Sequence, residues 1–71
     1  MEKISINTEF IKLDQFLKYI NIVESGGVAK MIINDGLVKV NGEVCTQRGK
    51  KIRANDVVEF ENSKFIVSQG E

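Results

Sequence analysis

From Leu13 onward the apolar residues of this chain change their spacing once, at Gly36, and that change restricts the folds open to it. Before Gly36 the period is helical. Leu13, Phe16, Leu17 and Ile20 recur at i, i+3, i+4 and i+7, so "KLDQFLKYIN" presents one apolar helical face. Asp14 suits the first turn of that helix and is spaced to pair with Lys18 four residues on. A short link through Ile22 and Val23 leads to "ESGGVAKMIINDG", a second helix with Ser25 as N-cap and Gly36 just beyond its end. Its inward stripe is expected to be Val28, Ala29, Ile32 and Ile33. After Gly36 the apolar residues alternate, as strands require, and "KISIN" near the N-terminus alternates too, reading as an edge strand. The class is α+β: two helices packed on a small bent antiparallel sheet of about four to five short strands. With 71 residues, the expectation is a single domain spanning 1–71.

Turn residues divide the strand region. Asn41-Gly42 offers the positive φ angles of a tight hairpin. A two-residue loop would pair Val40 with Glu43 and set Val44 beside Lys39, whereas a longer loop would bring Val44 onto the face of Val38 and Val40; the pattern fits both. "DVVEFENSKFIVS" reads as a second hairpin turning at Asn62-Ser63, which would pair Glu61 with Lys64, Phe60 with Phe65 and Val58 with Val67. Asn55-Asp56 fits another tight turn.

Most catalysis lacks its parts. There is no histidine, and the lone cysteine, Cys45, can form neither an internal disulfide nor a zinc site. No metal or cofactor is expected. The carboxylates are scattered over helix starts, turns and strand exteriors, which argues against an enzyme. Cys45 reads as a half-buried apolar residue, and Phe10, Phe16, Phe60 and Phe65 fit core positions, with no alternating exposed pair to serve as a base-stacking platform. "ESGG" lacks the remainder of a phosphate-loop motif, so it reads as a capped helix whose glycines allow close packing, or whose open amides meet a phosphate. The N-terminus has no apolar run of signal-peptide length and no segment reaches membrane-span length, so a cytoplasmic monomer without membrane contact is expected.

The remaining signal is charge. Arg48, Lys50, Lys51 and Arg53 fall within "TQRGKKIRAND" in a chain of zero formal net charge. Residues 12–53 carry eight basic against four acidic residues, whereas residues 54–71 carry one against four. A basic face with an acidic back is the implied arrangement. Gly49 would permit close backbone approach, and Lys12 and Lys30 add outward positions on the helical pair, so a phosphate backbone is the expected partner.

The order "KLDQFLK", "SGGVAKMIINDGLVKVNGEV", "NDVVEF" resembles the RNA-binding domain named after ribosomal protein S4, the αL motif, over residues 12 to 60. "SGGVAK" with "RGKKI" is similar to its small stand-alone bacterial members of the YaaA/YbcJ type. The resemblance implies a non-enzymatic binder of structured RNA, in particular ribosomal or ribosome-associated RNA, with ribosomal or translation proteins as further partners. It places Lys12 where the family usually has Arg, Ser25 as the cap, and Lys30 where a basic residue commonly follows Ala. Gly26 stands where the family usually has Arg, and the loop at Arg48, Lys50 and Lys51 could supply that charge. The RNA-contacting set implied is Lys12, Lys18, Ser25, Gly26, Gly27, Lys30, Arg48, Lys50, Lys51 and Arg53.

Overall fold

In the computed structural model, which describes residues 1–70, strand β1 (Glu2–Ile6) leads into β2 (Ile11–Lys12) and directly into helix α1 (Leu13–Tyr19). Helix α2 (Gly26–Asn34) follows, then β3 (Val38–Val40), β4 (Glu43–Val44), β5 (Lys51–Ile52), β6 (Val57–Phe60) and β7 (Ser63–Gln69). Both helices stop by the same device. Asn21 (φ 62°) and Gly36 (φ 74°) take left-handed backbone just past the helix ends. Their N–H groups donate to the carbonyls of Lys18 and Ile33, while those of Ile22 and Leu37 donate to Leu17 and Ile32. This paired closure satisfies the last carbonyls and turns the chain back sharply. Ser25 begins α2 as expected, its Oγ accepting from the Val28 N–H at 3.3 Å.

The main sheet has the order β1-β7-β6-β3-β4, and β2 and β5 form a separate two-stranded ribbon. The sheet is mixed rather than antiparallel, because β1 runs parallel to β7, with Ile4 beside Val67. Of the two registers open at Asn41-Gly42, the two-residue loop forms, pairing Val40 with Glu43 and Lys39 with Val44. Asn41 (φ 53°) and Gly42 (φ 86°) supply the two positive φ angles that such a turn needs. The second hairpin departs from expectation. Its turn is centred on Glu61-Asn62, with Glu61 at φ 57°, so Phe60 pairs with Ser63, Glu59 with Lys64 and Val58 with Phe65. Moving the turn by one residue moves each partner by two, which leaves every side chain on the same face. The apolar pattern is therefore blind to the difference.

The helices cover one face of the sheet. Leu13, Phe16 and Leu17 of α1, Ala29 and Ile33 of α2, Val38, Val40, Val58, Phe65 and Val67 of the sheet, and Ile6, Val23 and Ile52 form one buried cluster. Two expected core residues, Val28 and Phe10, lie outside the cluster and its packed margin. Val28 is 39% exposed, since the face of α2 that meets α1 is centred on Ala29 and Ile33. Phe60 is half-buried at the cluster's margin, and Phe10 is half-buried outside it. Cys45 is half-buried against the core.

Candidate nucleic-acid interface

The stretch "TQRGKKIRA" contains strand β5. In the ribbon Ile11 pairs with Ile52 and Lys12 with Lys51. Side chains alternate along strands, so the isoleucines turn inward, Ile52 being fully buried, while both lysines stand on the outer face, exposed. Extending this register by one residue sets Phe10 opposite Arg53 on that outer face. Lys51 Nζ lies 4.8 Å from the centroid of the Phe10 ring and Arg53 Cζ lies 5.5 Å from it, within cation–π range. One face of a short ribbon thus carries Phe10, Lys12, Lys51 and Arg53.

The preceding loop is fixed to the same place. Arg48 and Gly49 form the centre of a turn closed by the Lys50 N–H donating to the Gln47 carbonyl at 3.1 Å. Lys12 is the N-cap residue of α1 and makes no side-chain cap bond. The loop supplies the cap instead: the Leu13 N–H donates to the Lys50 carbonyl at 2.8 Å, and the Asp14 N–H to the Arg48 carbonyl at 3.1 Å. Two of the orphan amides of α1 are satisfied in this way. With its carbonyls committed to the helix end, the loop leaves the Arg48 and Lys50 side chains exposed to solvent. Gly49 has no neighbour within 4 Å of where a Cβ would stand, so no approach within the protein requires a glycine there.

The other expected contact residues belong to the helices. Lys18 lies in the last turn of α1, about 9 Å along the helix axis from Lys12 at 1.5 Å per residue. Lys30 lines a shallow groove on α2 with Gly27, Met31, Asn34 and Asp35. Close packing does not account for the paired glycines, because a Cβ on Gly26 would meet nothing and one on Gly27 only the Ser25 Oγ.

The separation of charge is less clean than the order of residues suggests. Asp56 sits against the end of the basic run, its Oδ2 accepting from the Arg53 N–H at 2.8 Å. On the sheet, Glu59 lies between Lys39 and Lys64 in register, which gives a mixed row in place of an acidic back.

Phe10 is the residue of this candidate surface that sequence reasoning missed, having been assigned to the core. The available signal was the pairing of "FIK" with "KIR". Each is an apolar centre flanked by outward positions, and pairing their isoleucines brings the ring and the cations onto one face. Among the described residues no group of three His, Cys, Asp or Glu side chains could hold a metal. No helix of the described residues is long and apolar enough to cross a membrane.

A family model described as the S4 domain matches residues 4–68. The probable ribosome maturation protein RlbA of Bacillus subtilis is 48% identical over 58 residues, covering 82% of each chain. Among solved structures, the solution structure of YbcJ from E. coli, described as revealing an αL motif involved in RNA binding, superposes with a TM-score of 0.72. It is 35% identical and covers 96% of this chain and 87% of its own.

Proposed function

The chain belongs to the S4 domain family, and on that premise we propose that it is a non-catalytic, ribosome-associated protein that grips structured ribosomal RNA through the outer face of the β2–β5 ribbon and the adjoining loop. Lys12, Lys51 and Arg53 contact phosphates from the ribbon, and Arg48 and Lys50 from the loop. The observation that carries this reading is the direct opposition of Lys12 and Lys51. Like charges facing each other across a strand pair destabilise a fold, so their juxtaposition is explained by an anionic partner. The relatives support the choice of partner: RlbA is a probable ribosome maturation protein, and the YbcJ motif is described as RNA-binding.

Lys30, with the amides of Gly26 and Gly27 at the start of α2, extends the surface over the helical unit, and Lys18 marks its margin. Such contacts fix position and orientation without reading bases, so recognition follows RNA shape. The protein acts as a monomer in the cytoplasm.

Charge reversal tests the placement. Lys51→Glu with Arg53→Glu should weaken binding to structured ribosomal RNA by at least tenfold, while Lys64→Glu, on the mixed row of the sheet, should change it less than twofold. Equal losses would contradict a localised face. A second reading, an adaptor for a ribosomal or translation protein, has one observation in its favour: Val28 and Met31, three apart on α2, are 39% and 55% exposed. Affinity capture with and without ribonuclease separates the two, because an adaptor keeps its partners after RNA is digested.

A further inference from the structure

Phe10 has a place in the fold that packing does not explain. It lies outside the buried cluster, yet both sides of it are secured. On one side Ile11 pairs with Ile52. On the other, the Thr8 Oγ1 donates to the Phe10 carbonyl at 2.7 Å, and the Gln69 Nε2 donates to the Thr8 carbonyl at 3.1 Å, tying the segment to β7. The backbone on either side of Phe10 is therefore fixed, and Lys51 and Arg53 lie over its ring.

We propose that Phe10 is a positioning residue for RNA binding, whose ring holds the Lys51 and Arg53 head groups in a fixed spread that matches neighbouring phosphates. This rests on the RNA-binding reading given above. Long cationic side chains lose rotamer freedom when a phosphate fixes them, and that loss opposes binding. A ring whose negative face attracts both cations restricts them beforehand and reduces the loss. Because cations occupy the ring, it works through them and not as a platform for a base.

The test uses binding to structured ribosomal RNA by the wild type, Phe10→Leu, Phe10→Trp, Lys51→Gln/Arg53→Gln, and the last pair combined with Phe10→Leu. Phe10→Leu should weaken binding about 4- to 25-fold, from about 2- to 5-fold for each of the two cations released. Phe10→Trp should retain wild-type binding, and Phe10→Leu should have no further effect once both cations are glutamine. In the wild type, ring currents should shift the Lys51 Hε and Arg53 Hδ resonances upfield, and Phe10→Leu should abolish the shift with the remaining amide spectrum intact.

Undiminished binding by Phe10→Leu would overturn the proposal, as would an equal loss in the glutamine background, which would mean that the ring touches RNA itself. A loss accompanied by a disrupted amide spectrum would assign Phe10 a structural role and overturn it too. If Lys51→Gln/Arg53→Gln binds like the wild type, the ribbon reading fails instead, while the ring-current shifts still report whether Phe10 holds the cations.

Discussion

Lys12 is opposed by its own protein on two counts. It faces Lys51 across the ribbon, and it occupies the N-cap of α1, where the helix dipole disfavours a cation. Glutamine at this position keeps the length of the side chain and removes the charge. Lys12→Gln should therefore stabilise the fold by about 0.3–1 kcal/mol in urea unfolding at low salt, while weakening RNA binding. Those opposite signs identify a charge kept for function; a loss of stability would show that Lys12 serves the fold. Residues of this kind are legible in sequence only as types. That Lys12 is basic and outward can be read from "KLDQFLK", but its partner thirty-nine positions away follows from a pairing that no local pattern announces. Phe10 was misplaced for the same reason, since an aromatic beside an isoleucine satisfies a core assignment until the ribbon shows which of the two turns inward.

Among the elements, the two helices were readable because capping and period agreed: Ser25 caps α2, and Gly36 closes it. The hairpins were readable as hairpins but not in register. Asn41 shows how side chains settle what alternation leaves open. Beyond supplying a positive φ, it links the β3–β4 turn to the start of β6, its Oδ1 accepting from the Val57 N–H at 2.9 Å and its Nδ2 donating to the Asp56 Oδ1 at 3.0 Å. Glycine would accommodate the backbone equally well. Asn41→Gly should nonetheless cost about 1–3 kcal/mol of stability, for two lost hydrogen bonds and the unpaired groups left behind, measured as a shift of the urea midpoint. An unchanged midpoint would reduce Asn41 to a turn residue. The Asn62-Ser63 expectation failed because no comparable device marked the turn. Glu61 adopts a left-handed φ that its residue type does not favour, and two registers differing by two residues bury the same side chains.

At the scale of the whole molecule, the fold class was legible from the change of period, while the parallel pairing of β1 with β7 was not. That pairing joins residues more than sixty positions apart and depends on how the sheet closes over the helices, not on a motif. The same long-range assembly makes the surface proposed to meet RNA, by clamping the basic loop to the start of α1 through the Lys50 and Arg48 carbonyls and fastening the Phe10 segment to β7. A zero net charge conceals this, because association depends on local potential within a Debye length of about 8–10 Å. The most direct test of a ribbon-centred phosphate grip is the salt dependence of binding to structured ribosomal RNA, compared between the wild type and Lys51→Gln/Arg53→Gln. With about four or five phosphates neutralised, the wild type should show a log–log slope of about −3 to −4.5, and the variant a slope shallower by about 1.4 to 1.8. A flat wild-type titration, or two parallel lines of equal slope, would contradict it.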